Sequence, residues 1–414
     1  MGQRLLLNII TGVLTGYKIV QIATPGHLKL PICLPVNHLL LNFVLYTKQQ
    51  MTALLIIALL IAAVLLFMQH PKFGKKPSGS RLTKIQNAVN YKDGQFRNQS
   101  HTPDLAEGAS YYKVFKEFFF EKSKRSKPAK PLPTQKVDLK NLDPAENVIV
   151  WFGHSSYFIQ ADGRTMLVDP VFSGSASPIP ATTRAYPGSD VYSVEDFPAI
   201  DYLFITHDHW DHLDYQTVLK LKPKVGKVIT GLGTAQHLEY WGYNPAIIEE
   251  LNWNEAAVID NGFTVHAVPG RHFSGRSVKR NQAVWAAFVL QTPSLKLFLG
   301  GDSGYDHHFK TIGQEHGPFD LALLECGQYN AYWKYIHMMP EEVVTAAKEL
   351  GAKRLMPVHF AKFSLSLHAW DEPIIRVTAE AEKQGMPMVT PMIGEKLNLN
   401  DTEKVFEKWW IGLE

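Results

Sequence analysis

The sequence predicts an α/β sandwich of two sheets with outer helices, preceded by a single N-terminal transmembrane helix. Three observations carry that prediction. Between residues 147 and 383, short apolar runs come first in meanders and later alternate with helical periods. Histidines and aspartates stand just beyond the ends of several of those runs. Residues 51–68 read MTALLIIALLIAAVLLFM, uncharged and about as long as a bilayer core requires.

Residues 1–50 mix apolar runs with Pro25, Pro31 and Pro35 and show no clean period, so they read as an extension that translation from Met51 would omit. Residues 51–69 are the transmembrane helix. A core helix seldom stays apolar on every face, and residues 70–76 lack the small-residue pattern of a cleaved precursor, so the helix reads as an uncleaved anchor. Lys72, Lys75, Lys76, Arg81 and Lys84 follow it closely, whereas Lys48 is the one nearby cation before it. That bias predicts a single-pass inner-membrane protein with its C-terminal body in the cytoplasm.

Residues 70–144 form a polar and aromatic segment that ends in a Pro-rich linker, 127–133. A helix near its middle would carry Tyr111, Phe115, Phe118 and Phe119 on roughly one face, followed by Lys122, Lys124, Arg125, Lys127 and Lys130. Docking of that face on the folded body is favoured slightly over contact with an anionic membrane surface.

Residues 145–414 hold the main domain. Strands are expected on both sides of Gly153-His154, at 165–168, 200–205, 227–230, 263–268, 283–291, 295–299, 320–324 and 354–357. Helices are expected at 214–222, 234–241, 340–350 and 373–383. A chain of 414 residues that is 45% hydrophobic and 20% charged has ample material for a core. A net charge of +3 gives no reason to expect a nucleic-acid partner. Cys33 and Cys326 lie too far apart in sequence to suggest a disulfide framework. Nothing in the sequence specifies an oligomeric state.

The densest chemical signal is Thr206-His207-Asp208-His209-Trp210-Asp211-His212-Leu213-Asp214, directly after the 200–205 strand. In the form H-x-H-x-D-H, His207 and His209 can aim at one cation while Asp211 and His212 aim at a second. Asp208 could orient an imidazole from behind. Two metals need more than four ligands, and three further candidates follow strands: His272, Asp302 and His359. Asp302 comes after Gly300-Gly301, which allow close backbone approach. His154 either braces a ligand loop or packs at a strand bend. Arg276 either meets a substrate phosphate or is solvated. His307 and His308 read as loop residues without a ligand role.

With these residues the chain resembles the metallo-β-lactamase-fold hydrolases over roughly residues 147–397. It is most similar to the branch of the N-acylphosphatidylethanolamine-hydrolysing phospholipases D and their bacterial relatives. Supporting pieces are Trp151-Phe152-Gly153-His154-Ser155, Val168-Asp169-Pro170-Val171-Phe172, Gly301-Asp302-Ser303-Gly304-Tyr305 and His337-Met338-Met339-Pro340-Glu341-Glu342. The resemblance implies an αββα sandwich with two mixed sheets. It implies two zinc ions, with iron or manganese as alternatives: His207, His209 and His272 on one, Asp211, His212 and His359 on the other, and Asp302 bridging. Asp211, Asp302 and His337 would be catalytic, and His337 would touch substrate or protonate the leaving oxygen. The implied activity is phosphodiester hydrolysis of phospholipase D type on N-acylated phosphatidylethanolamine-like or related lipids, using a water whose pKa is lowered between two cations. A membrane-tethered lactonase or sugar-phosphate hydrolase is the alternative. A non-enzymatic binding protein on a degenerate hydrolase fold would have lost ligands, and none is missing.

Overall fold

The structure, a computed structural model, describes residues 17–19 and 33–413, with side chains from Asn42 onward. It divides into two compact units, one ending at His70 and one starting at Pro71.

In the first unit β1 (Tyr17–Ile19) pairs antiparallel with β2 (Cys33–Pro35), and helix α1 (Val36–Met68) starts directly after Pro35. The helix begins upstream of the expected residue 51 because residues 36–50 contain neither Gly nor Pro to stop it. Its 27 residues Asn42–Met68 are long and apolar enough to cross a membrane, spanning about 40 Å against a hydrocarbon core of about 30 Å. The rest of the 1–50 extension lies outside the described residues.

The second unit opens with α2 (Gly79–Gln86), the hairpin β3 (Tyr91–Lys92) and β4 (Gln95–Phe96), and α3 (Tyr111–Lys116). Ile85 and Phe96 are buried in the main core, and Arg81 pairs with Glu239 and Glu250 at 2.5 Å each. Much of what the sequence presents as a polar lead-in is therefore part of the folded body. The aromatic face behaves differently. Of the face expected to dock, Tyr111, Phe115 and Phe119 are 66, 62 and 61% exposed and Phe118 alone is half-buried, so the expected docking of that face on the body does not occur. The stretch is held instead through the Ser110 cap, through Glu117, which accepts from Tyr332 Oη at 2.7 Å, and through Lys122, which donates to the Ser364 carbonyl at 3.1 Å.

Two mixed sheets follow. The first contains β5 (Val148–Trp151), β6 (Tyr157–Ala161), β7 (Arg164–Val168), β8 (Ile200–Ile205), β9 (Val225–Gly231) and β10 (Ile248–Leu251), with α4 (Tyr215–Leu221) and α5 (Ala235–Tyr240) between its later strands. The second contains β11 (Ala256–Asp260), β12 (Phe263–Pro269), β13 (Ala286–Gln291), β14 (Lys296–Leu299), β15 (Leu321–Glu325) and β16 (Leu355–Val358), with α6 (His308–His316) and α7 (Pro340–Glu349) interleaved. After α8 (Glu372–Gln384), β17 (Lys396–Asn398) returns to the first sheet, whose order is β10-β9-β8-β7-β6-β5-β17. The second sheet runs β11 to β16 in order.

Strand alternation sets the layers. Ile149, Trp151, Ile159, Val168 and Phe204 join the second sheet in one core, which also takes Val343, Val344 and Ala347 of α7. Their neighbours Val150, Phe158, Leu167, Leu203 and Ile205 face the other way, onto Val218 and Leu221 of α4 and Leu238 of α5. This is the αββα sandwich. The elements absent from the sequence prediction are the short or polar ones. Strand β17 has three residues, and edge strand β11 leaves Val258 74% exposed.

Candidate metal centre

The functional side chains gather where parallel strands end. Strands β7 and β8 are parallel with Val168 opposite Phe204, so the residues just past them, Asp169 and Thr206, come side by side. Thr206 donates to Asp169 twice, from N at 2.8 Å and from Oγ1 at 2.6 Å. The chain then turns on itself, with Leu213 N donating to the His209 carbonyl at 2.8 Å, and Asp214 caps α4. That turn carries His207, His209, Asp211 and His212. Gly301 permits Asp302 to reach them: a Cβ there would lie 2.8 Å from the Ala286 carbonyl and 3.0 Å from Thr206 Cβ.

Two clusters result. In the first, His207 Nε2 and His272 Nε2 lie 2.9 and 3.2 Å from His209 Nδ1, and 3.8 and 3.6 Å from Asp302 Oδ2. In the second, His212 Nε2 lies 3.7 Å from Asp211 Oδ2, whose other neighbour is His154 Nε2 at 2.9 Å. His359 shares this cluster, with ligand atoms of all four residues within 4.8 Å of one another. Asp302 joins the two: Oδ2 is 3.2 Å from His212 Nε2 and Oδ1 is 3.1 Å from His359 Nδ1.

The imidazoles are aimed from behind by different groups. His207 Nδ1 is 3.0 Å from Thr206 Oγ1, and His272 Nδ1 is 2.8 Å from the Ile336 carbonyl. His212 Nδ1 is 2.7 Å from Asp169 Oδ2, a buried carboxylate. Asp208, expected behind a ligand imidazole, instead meets His237 Nε2 at 3.2 Å and accepts from Gly275 N at 2.6 Å. Its peptide position points it away from the cluster, and Asp169 takes the orienting place.

Burial, helped by neighbouring imidazoles, holds His207, His272 and His359 well below the ordinary histidine range. Burial also brings His209 down to about 4. These rings are neutral at pH 7, the state in which a nitrogen lone pair is free for a cation. Burial pushes the Asp302 carboxyl up to about 6. Burial opposes charge on Asp211 as well, but His212 and His154 carry it well below the usual carboxylate range. For His212, burial is outweighed by Asp302, Asp211 and Asp169, which raise it well above the usual value. The centre calls for positive charge. His212 Nε2 and Asp302 Oδ1 are also buried without a hydrogen-bond partner. Orphaned donor atoms converging at these distances suit divalent cations.

A cavity of about 300 Å³ opens onto the two clusters, lined by His209, Asp211, His272, Asp302, His337 and His359 at its base. Leu105, Tyr111, Val114 and Leu365 add apolar surface to its outer lining beside Asp104 and Arg280, and Phe273 packs on the His209 and His272 rings. His337 Nδ1 lies 2.6 Å from Glu325 Oε2, while Glu325 Oε1 accepts from Ser303 N at 2.9 Å and Met338 N at 3.2 Å. Burial raises Glu325 well above, and lowers His337 below, their ordinary values.

The seven predicted ligands thus come together, and His337 lies beside them. Arg276 does not fit either sequence expectation. It is buried, donates to the carbonyls of Leu213 at 2.6 Å and Asp208 at 3.0 Å, and stands 4.0 Å over the Trp210 ring. It clamps the ligand turn rather than facing substrate or solvent, and Arg280 is the arginine that lines the cavity. His307 is a surface residue and His308 is buried against Ser303 Oγ at 3.1 Å. Two residues have no role in the sequence reading, and a third, His154, stands there between bracing a ligand loop and packing at a strand bend. Asp169 could have been found from the Asp-Pro that stops β7. Glu325 ends an apolar strand, where a carboxylate needs a reason. His154 contacts Asp211 and has a left-handed φ of 54°.

Residues 164–360 match the Beta-lactamase superfamily domain. An uncharacterised protein of Mycobacterium tuberculosis is 35% identical over 331 residues, 78% of this chain and 88% of that protein. Outer membrane protein RomA of Klebsiella pneumoniae is 57% identical over 96 residues, 23% of this chain and 73% of that protein. N-acyl-phosphatidylethanolamine-hydrolyzing phospholipase D 1 of Caenorhabditis elegans is 28% identical over 268 residues, 56% of this chain and 72% of that protein.

Proposed function

The chain belongs to the beta-lactamase superfamily, as a metal-dependent hydrolase of that fold, and on that premise we propose a dinuclear zinc phosphodiesterase of phospholipase D type acting on N-acylated phosphatidylethanolamine-like lipids. One cation would be held by His207, His209 and His272, the other by Asp211, His212 and His359, with Asp302 serving both. The observation that carries this is the pair of clusters meeting at Asp302 in a cavity whose lining is largely apolar. Two divalent cations there would acidify water and draw charge from a phosphoryl oxygen.

The protein's own part is binding, orientation and proton delivery. Leu105, Val114 and Leu365 suit acyl or glyceryl surface near the mouth. Hydrolysis forms a bond from water oxygen to phosphorus and breaks the bond to the alcohol, whose oxygen must gain a proton. With Glu325 kept protonated by burial and hydrogen-bonded to His337 Nδ1, His337 carries its own proton on Nε2. His337 then donates Nε2–H to the leaving oxygen as Nδ1 takes the proton of Glu325.

The apolar helical span suits an inner membrane, since outer-membrane proteins span as closed barrels. Cell fractionation tests that placement, with recovery in the outer membrane as the contrary result. The function is tested on the full chain in detergent or vesicles, by metal content and by turnover of a panel of phosphodiesters, sugar phosphates and lactones. Two equivalents of zinc with phosphodiester cleavage are expected. Turnover of lactones or sugar phosphates alone overturns the lipid assignment, and full activity after complete metal removal overturns the mechanism.

A further inference from the structure

The stretch that contributes Tyr111 and Val114 to the cavity mouth also presents the most aromatic exposed surface of the second unit. Helix α3 continues into a π-helical turn, Glu117–Glu121. Tyr112 and Phe120 are each 79% exposed, Phe115 is 62% and Phe119 is 61%. Phe115 and Phe119 pack on each other with centroids 4.4 Å apart, so they form one ridge rather than scattered points. A monomeric soluble body rarely leaves such a ridge in water.

Charge indicates what covers it. Residues 111–130 hold seven lysines and arginines against two carboxylates. Both carboxylates are engaged, Glu117 by Tyr332 and Glu121 by Lys116 at 2.5 Å, and Arg125 is paired with Asp371 of the body. Lys124 and Lys127 are exposed just beyond the ridge. Aromatic side chains beside unneutralised cations match the interface of an anionic bilayer, where rings sit at headgroup depth and lysines meet lipid phosphates. A soluble acidic protein would satisfy the cations but not the ridge. A second copy of the chain would bring like charge against like.

We propose that Tyr112, Phe115, Phe119 and Phe120, with Lys124 and Lys127, seat the catalytic body on an anionic lipid surface and bring the cavity mouth to the leaflet. The seating stands on exposure and charge. The delivery of lipid to the cavity rests on the phosphodiesterase assignment above.

The test uses the full chain reconstituted in vesicles. Phe119→Cys is labelled with an environment-sensitive probe; Cys326 is buried and Cys33 is replaced by Ser. In phosphatidylglycerol-containing vesicles the probe should shift to the blue and be quenched by brominated lipid. In purely phosphatidylcholine vesicles quenching should be several-fold weaker. A probe that stays in water in both overturns the seating, and protection from quencher accompanied by crosslinked dimers assigns the ridge to a second copy instead. In parallel, Tyr112→Ser/Phe119→Ser/Phe120→Ser should lose about tenfold in rate on vesicle substrate and stay within about twofold on a short-chain soluble phosphodiester. Equal loss on both substrates overturns delivery by this ridge. Normal quenching with no phospholipid turnover by any form leaves the seating in place and removes the assigned substrate.

Discussion

The two halves of the candidate metal centre are oriented by different chemistry. His207 and His272 are backed by neutral groups, a hydroxyl and a peptide carbonyl, and His209 Nε2 is buried without a partner. His212 is backed by the buried carboxylate of Asp169, and Asp211 and His154 lie beside it. An anionic partner behind an imidazole raises its basicity and fixes its ring. The half around His212 should therefore hold its cation harder, and the half around His209 should be the one that exchanges.

The most damaging change should be to the residue both halves share. Asp302→Asn is expected to lower kcat/KM on the order of a thousandfold while thermal unfolding shows a folded protein, and His209→Ala should do the same through one half alone. Wild-type turnover by Asp302→Asn would break the two-cation picture. Asp169→Asn tests the asymmetry itself: about 10- to 100-fold weaker retention of one metal equivalent is expected during dialysis against chelator. Equal weakening of both equivalents would erase the difference between the halves.

Glu325 lies beside Asp302 and yet is assigned to the proton, so its variant sharpens the line between cation and proton roles. Glu325→Gln should lower kcat about tenfold or more with KM and metal content unchanged; loss of a metal equivalent would reassign it as a ligand. The smallest effect belongs to His308, outside both halves, which burial lowers to about 3. The fold holds it neutral, so its contribution is complete above about pH 6.5 and is lost as pH falls toward 3, by at most about 1.4 kcal/mol per pH unit. Urea unfolding of His308→Asn should show a shallower acid decline than the parent, and identical slopes would count against that burial.

The sheets and the ligand set were legible because both depend on residue type at local spacing. The run Ile200–Ile205 becomes β8 with those bounds, and H-x-H-x-D-H follows it directly. The strand ends bearing His272, Asp302 and His359 could be read for the same reason. What escaped depends on register between strands. Asp169 reaches His212 only because Val168 stands opposite Phe204, and Glu325 reaches the site because it pairs with Val358, one residue before His359. Arg276 was misjudged because a charged side chain among loop residues gives no hint that four backbone carbonyls await it.

His154, Asp169 and His359 share φ values of 54, 41 and 68°, a backbone region that side chains other than glycine enter at a cost of about 1–3 kcal/mol. A selection for thermostability alone would therefore favour glycine or asparagine at these three places, and each gain would remove an imidazole or carboxylate from the centre. The sequence keeps the costlier residue at all three, so a thermostabilised variant with these positions relaxed should be an inert fold rather than a better enzyme.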